Sequence, residues 1–222
     1  SKMKKVLIGL FALASISAFA NEGINVYGKV GLDVVSKFTV LKDEDDSRLN
    51  TPKKGKIGAN FAVEVTKDVT PNLEFGAGLA YTVRKDSDMK INNLVDEDGD
   101  KVDLKIKLPR YESIPLYLTG KYNFNVDSEV KPYIKADLGY SFNQKIKAEL
   151  SGAEDKEDNF SETGKVENGL YTSIGLGLEY NHFITDLAYV HTNARVKNED
   201  GGEADRYNND ALRLSVGYKF NF

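Results

Sequence analysis

The 222-residue chain contains no cysteine and no tryptophan, only 2 histidines and only 5 prolines. Without cysteine it can have neither a disulfide framework nor a thiolate metal site. Two histidines, His182 and His191, are the whole supply of imidazole for acid–base work near neutral pH. Beyond residue 20 there is no long apolar run, and the mean hydropathy lies on the water-soluble side. A spanning helix needs about 20 apolar residues, so a helical membrane protein is excluded. A membrane barrel remains open, because only alternate residues of its wall face lipid. The formal net charge is −4, and no nucleic-acid partner is expected.

What the chain does have is alternation. Residues 211 to 222 read Ala-Leu-Arg-Leu-Ser-Val-Gly-Tyr-Lys-Phe-Asn-Phe, apolar at every even position and small or polar at every odd one. Successive side chains of a strand point to opposite faces, so this segment predicts a strand between two different solvents. In a barrel wall these are lipid and lumen. At the other end, Lys2, Lys4 and Lys5 precede an apolar run from Val6 to Phe19 that closes with Ala18-Phe19-Ala20. This pattern predicts a signal peptide over residues 1 to 20, with Ser1 and Lys2 ahead of Met3 as leading scar residues. The barrel domain is then residues 21 to 222.

Seven further segments alternate. The first strand presents Ile24, Val26, Gly28, Val30, Leu32 and Val34 outward, and the second presents Ile57, Ala59, Phe61, Val63 and Val65. Across Thr70-Pro71-Asn72 the third answers with Leu73, Phe75, Ala77, Leu79, Tyr81 and Val83, as in a tight hairpin. The fourth and fifth offer Ile114 to Phe124 and Ile134 to Phe142, and the sixth Leu170 to Tyr180. The seventh, Ile184 to Thr192, is ambiguous in phase. Leu187 and Tyr189 suggest one outward face, while Ala188 and Val190 permit the other. In the clear strands no outward position is charged, whereas the opposite faces carry many Lys, Arg, Asp and Glu.

Connections alternate as strictly as the strands. Segments 66 to 72, 125 to 131 and 181 to 184 are short, whereas 39 to 55, 85 to 110, 144 to 168 and 193 to 209 are long and charged. Short periplasmic turns and long outer loops belong to an all-β, eight-stranded antiparallel up-and-down transmembrane barrel. An even strand count returns both termini to the periplasm. Phe75, Tyr122, Phe124, Tyr180, Phe220 and Phe222 are expected in the lower aromatic girdle, with Phe38, Tyr81, Tyr140 and Phe142 in the upper one. Pro115 lacks a ladder donor and is expected at a bulge, failing which the register of the fourth strand would be off by at least one residue.

On these residues the chain resembles the small eight-stranded outer-membrane barrels, the family of the OmpA transmembrane domain, OmpX and the neisserial opacity and surface proteins. The sharpest match is Ser215, Gly217, Phe220 and Phe222 at the C-terminus. The resemblance implies that this strand is a signal read by the barrel-assembly machinery. Lys131-Pro-Tyr-Ile-Lys-Ala-Asp-Leu-Gly-Tyr140 and Gly175-Leu-Gly-Leu-Glu-Tyr180 are softer matches. The resemblance further implies an outer membrane of Gram-negative type, with membrane lipid and lipopolysaccharide as surroundings.

An eight-stranded barrel is just wide enough to be filled by side chains. Aligning the turn ends places Lys29, Glu64, Glu74, Lys121, Lys135, Glu179, Asp186 and Lys219 at similar depth in the lower lumen. Four bases and four acids there are expected to pair as a plug. For His191, near the top of the seventh strand, neighbours Thr192 and Asn193 indicate no acid partner, so lipid hydrolysis through it is a remote reading and no enzyme is expected. No cofactor and no metal is expected either. Asp96-Glu97-Asp98-Gly99-Asp100 lacks the full spacing and closing glutamate of a calcium loop and reads better as a hairpin turn.

The outer loops are acidic. Lys and Arg against Asp and Glu number 3 to 7 in residues 85 to 103, 4 to 7 in 144 to 168, and 3 to 4 in 193 to 209. Val102, Leu104, Ile106 and Leu108 continue the alternation beyond membrane height, so the third and fourth strands are expected to project. A projecting edge offers backbone groups to a partner strand. The sequence therefore points to a structural or surface-interaction protein, adhesin-like, that meets a host or matrix molecule through acidic loops above a plugged lumen. A narrow porin-like channel or transporter for small solutes or apolar molecules is the alternative.

Overall fold

The computed structural model describes residues 23–38, 57–85, 87–95, 101–108, 110–144, 146–151, 161–197 and 205–221. The expected signal peptide, the loop from 39 to 55, the Asp96 to Asp100 segment and Phe222 lie outside the described residues. In chain order the strands are β1 (Ile24–Phe38), β2 (Gly58–Thr70), β3 (Leu73–Val83), β4 (Ser87–Val95), β5 (Lys101–Leu108), β6 (Ser113–Asn123) and β7 (Val130–Asn143). They continue as β8 (Ile146–Ser151), β9 (Ser161–Glu167), β10 (Gly169–Tyr180), β11 (Phe183–Thr192), β12 (Arg195–Lys197), β13 (Asp205–Arg206) and β14 (Asn209–Asn221).

Eight of these close a barrel in the order β1-β14-β11-β10-β7-β6-β3-β2, every neighbour antiparallel. Closure leaves no unpaired edge within the wall, which an apolar solvent requires. The outward face is apolar, and residues such as Leu176 (64% exposed) and Leu138 (56%) would be bare to water were no lipid there. On the seventh stave, Leu187 and Tyr189 face outward and Asp186 is buried in the lumen, which fixes the phase the sequence left open.

At one end the staves join through short turns. Thr70 Oγ1 accepts from the backbone N–H of Leu73 at 3.0 Å to close β2 on β3. Asn181, at φ 53°, turns β10 into β11. At the other end the segments expected as loops are partly strand. β4–β5, β8–β9 and β12–β13 pair side by side in a six-stranded sheet of order β13-β12-β9-β8-β5-β4. Each continues a barrel stave after a break of a few residues, so the projection expected of the third and fourth strands extends to six.

Two sequence expectations are corrected. Pro115 sits inside an unbulged ladder, paired with Ser141 between Ile114↔Phe142 and Leu116↔Tyr140. On its other side the β3–β6 ladder runs to Leu79↔Leu116, skips the proline and resumes at Thr82↔Ser113 in the same register. The missing N–H thus interrupts one ladder locally without shifting it, and the expected outward phase of the strand is kept. Phe38 is not a girdle residue. A register shift between Asp33 and Val35 leaves Val34 and Val35 both outward, and from there Ser36 and Phe38 point inward.

Candidate functional site

Alternation sends one face of every stave into the lumen, and what meets there is a paired set of charges. Nearest the short turns, Lys121 donates to Glu179, and Lys219 lies 3.1 Å from both Glu179 and Glu74. Lys121 Nζ also lies 3.5 Å from Glu74 Oε1, and Tyr27 donates its hydroxyl to Glu74 at 2.6 Å. One layer on, Lys29 reaches Asp186 at 2.7 Å and Lys135 reaches Glu64 at 2.9 Å and Asp137 at 2.5 Å. Tyr117 donates to Glu64 at 2.8 Å and Tyr133 to Asp186 at 2.9 Å. All eight residues singled out in the sequence therefore take part in ion pairs. They form two clusters of four rather than one ring at similar depth, because the staggered strands of a barrel carry equivalent positions to different heights.

Above these, Arg213 grips Asp33 through Nε (2.6 Å) and Nη2 (3.1 Å), a bidentate fork between directly paired residues of β14 and β1. Arg84 follows, donating to Asn209 at 3.1 Å, to the Tyr111 carbonyl at 3.1 Å and to Ser113 at 2.8 Å. The mouth is then closed by Phe38, Tyr111 and Tyr207, with ring centroids 5.2 to 6.0 Å apart, and the Arg110 guanidinium lies 4.0 Å over the Phe38 ring. Burial holds the Tyr111 phenol well above its usual range. Asp33, Asp137, Arg213 and Arg84 were missed as members of the lumen network, as were the tyrosines. Inward parity was the signal for Asp33, Asp137 and Arg213, all at positions of the charged face.

The charged and aromatic groups leave a gap of about 20 Å³ among them, lined by Lys29, Glu64, Lys135, Asp186 and Arg213 with others. That is room for about one water molecule. Glycines make the packing feasible. The Tyr117 ring lies over Gly78, its cross-strand partner, and the Tyr133 ring over Gly177, so close that a Cβ at either glycine would sit 2.5 Å or less from the ring.

The remaining sequence candidates are placed as follows. Of the C-terminal set, Ser215 is buried on the lumen side, Gly217 faces the lumen opposite Lys29, and Phe220 is exposed on the outer face. His182 sits in the β10–β11 turn, stacked on Tyr218. His191 does have an acid partner, contrary to expectation. Asp210, paired with it on β14, lies 2.5 Å from its Nδ1, and Asn193 Oδ1 lies 2.6 Å from Nε2. The sequence hid this partner because it lies 19 residues away on the adjacent stave. Among the described residues no group of three His, Asp or Glu is placed to hold a metal ion.

The outer surface changes character with height. Tyr189 and Leu212 end the apolar band on β11 and β14, and beyond them come His191 and Asp210; on β10 Leu170 lies one step above Thr172, and Asn168, Asn193 and Asn208 follow. The asparagines stitch the breaks in the staves. Asn143 N–H donates to Asn168 Oδ1 at 2.9 Å and Ala194 N–H to Asn208 Oδ1 at 3.0 Å. On β9, Glu167 pairs with Lys197 at 2.9 Å, and the Lys197 hydrogen bond holds its carboxyl below the usual range.

The chain is similar to several known proteins. A protein of Pasteurella multocida strain Pm70, the uncharacterized protein PM1543, is 37% identical over 238 aligned positions, covering 99% of each chain. Among solved structures, Ail, the attachment invasion locus protein of Yersinia pestis, solved with the heparin analogue sucrose octasulfate, is 15% identical with a TM-score of 0.43. It is matched over 90% of this chain and all of Ail. OprG, an outer-membrane protein of Pseudomonas aeruginosa, is 14% identical with a TM-score of 0.42, over 90% of this chain and 97% of its own. Residues 6–220 match the family described as outer membrane protein beta-barrel domain, and the chain belongs to that family of eight-stranded outer-membrane barrels.

Proposed function

We propose that the protein is a non-conducting outer-membrane barrel that acts through its surface, with the lumen network of Lys29, Glu64, Glu74, Lys121, Lys135, Glu179, Asp186 and Lys219 as an ion-pair plug. One observation carries the reading: the gap among Lys29, Glu64, Lys135, Asp186 and Arg213 holds only about 20 Å³. Taking charges out of water is costly unless they pair closely, and these pair with each other and with tyrosine hydroxyls. A plug of mutually satisfied charges contributes rigidity and leaves nothing for a solute to follow. It also directs the search for function to the long-loop end, where three hairpins rise as one sheet above the wall.

In this reading the short turns and both termini face the periplasm, and the long-loop end faces the outside. Ser215, Gly217, Phe220 and Phe222 serve as the signal read by the barrel-assembly machinery. The acidic outer loops meet a host or matrix molecule, and no catalysis is involved.

Single-channel recording of the refolded chain in planar bilayers tests the plug. Wild type is expected to be silent and a Glu64→Ala/Glu74→Ala variant to conduct, since removing both carboxylates leaves Lys29, Lys121, Lys135 and Lys219 without part of their counter-charge. Steady wild-type conductance would replace the plug with the porin-like reading.

A further inference from the structure

On the face of the rising sheet that continues the lipid-facing surface, β9, β12 and β13 place their residues in register. Glu167 pairs with Arg195, and Arg195 with Arg206; Lys165 pairs with Lys197. Val166, between Lys165 and Glu167, is buried in the mouth cluster and Val196 packs against it, so the residues alternating with them point outward. Of the described side chains there, Lys165, Arg195, Lys197 and Arg206 are cationic and Glu167 alone is anionic. Lys197 is satisfied by Glu167, whereas Lys165, Arg195 and Arg206 make no ion pair among the described residues. This is a basic patch on loops whose overall composition is acidic.

Below the patch the same face opens as a groove of about 500 Å³ lined by Asn168, Gly169, Asn193 and Asn208 together with Glu167, Arg195 and Arg206. Its floor offers the side-chain N–H groups of amides whose oxygens are held by Asn143, His191 and Ala194, and these suit sugar hydroxyl oxygens; its upper edge offers two guanidiniums, which suit phosphate oxygens bidentately. Height supplies the third argument. Arg195 lies six residues beyond Tyr189, the end of the apolar band on that stave, about 20 Å along the chain at about 3.3 Å per residue. The order along this face is apolar side chains, then His191 paired with Asp210, then amides, then cations. That is the order of acyl chain, sugar and phosphate in a phosphorylated glycolipid standing beside the barrel.

We propose that this face is a docking site for the phosphorylated saccharide headgroup of an outer-leaflet glycolipid, with Arg195 and Arg206 on phosphate and Asn168, Asn193 and Asn208 on the sugar. It rests on the long-loop end facing outward, and not on the plug. The Glu167 carboxylate, drawn to Lys197, keeps the middle of the patch from self-repulsion and leaves the two arginines for the ligand.

The test is calorimetric titration of the refolded full chain in non-ionic detergent with a soluble probe, the deacylated bisphosphorylated glucosamine disaccharide. The same disaccharide without phosphates and inorganic phosphate alone are the controls. The phosphorylated disaccharide is expected to bind at least roughly tenfold more tightly than either control, and Arg195→Ala/Arg206→Ala to weaken it at least roughly tenfold. Folding of the variant is checked by its heat-dependent gel mobility; should it fail to fold, Lys165→Gln/Lys197→Gln is expected to weaken binding in the same direction. Equal binding by a folded variant and wild type would overturn the site, and equal binding of inorganic phosphate would overturn the headgroup as its ligand. The Glu64→Ala/Glu74→Ala variant is expected to bind as wild type does, which separates this outcome from that of the conductance experiment.

Discussion

Lys29 reaches Asp186 at 2.7 Å by crossing over Gly217, the residue that pairs with Lys29 on the stave between them. A Cβ at Gly217 would lie 2.7 Å from the Gly28 carbonyl oxygen and 2.9 Å from Lys29 Cγ. The glycine is therefore part of the ion pair's geometry. Gly217→Val is expected to push Lys29 off this path and to destabilise the barrel by about 1–3 kcal/mol, as overpacking does. Urea unfolding of the protein refolded into vesicles measures it, and an unchanged midpoint would mean that the backbone yields without cost.

Gly217 also illustrates what was legible in the sequence. Period-2 alternation located the eight staves, the phase of all but the seventh and the inward side of seven charged residues, with Asp186 resting on the open phase, because lipid tolerates no charge on the other face. It could not supply depth. Lys29 and Lys219 are only two pairs apart on neighbouring strands, yet they join different clusters, since side chains of this length lean along the lumen to whichever carboxylate is free. Nor could it rank the tyrosines. Tyr117 and Tyr133 look like spacers until their glycine partners on adjacent staves are known. Phe38 was misassigned because Val34-Val35 reads equally well with or without a bulge. The extension strands were visible only where Val102 to Leu108 alternate over several residues; β12 and β13, at three and two residues, are too short to show a period.

Glu167 and Lys197 lie on the exposed sheet, where pairing is a matter of local charge rather than burial. The Lys197 hydrogen bond, with Arg195 and Lys165 nearby, lowers the Glu167 pKa. A lowered folded-state pKa means that the folded chain binds this proton less readily than the unfolded one. The pair's contribution is thus present at neutral pH and fades as pH falls through the folded value. Lys197→Ala is expected to raise the Glu167 midpoint towards the ordinary glutamate range, read by carboxyl-carbon NMR titration. A midpoint that does not move would assign the shift to Arg195 and Lys165 instead.

His191 and Asp210 resemble two members of a catalytic set, but among the described residues no third member joins them. Both imidazole nitrogens have other partners, Asp210 and Asn193, and no hydroxyl donates to the ring among the described residues. Tyr189 spends its own hydroxyl on Asp210 at 2.7 Å. A nucleophile needs its base within hydrogen-bond reach. Incubation of the refolded protein with lipid A is expected to release no fatty acid above the level of a His191→Ala variant. Release that depends on His191 would overturn the non-enzymatic reading.

Phe38 closes the mouth by an accident of register. The shift between Asp33 and Val35 turns it inward, where its ring meets Tyr111 edge-on and lies tilted against Tyr207, under the Arg110 guanidinium. Ring contacts of this kind add about 0.5–1.5 kcal/mol each to the area they bury. Truncation to Ala removes the centre of the cluster, and a large-to-small change at a buried aromatic costs about 3–5 kcal/mol. If the cap merely covers a lumen already sealed by ion pairs, Phe38→Ala is expected to lower stability by that order and leave the bilayer silent. If the cap is itself the seal, the same variant conducts. Measuring unfolding and conductance on one preparation separates these two roles, because the lower ion pairs are far enough from Phe38 to stay intact in either case.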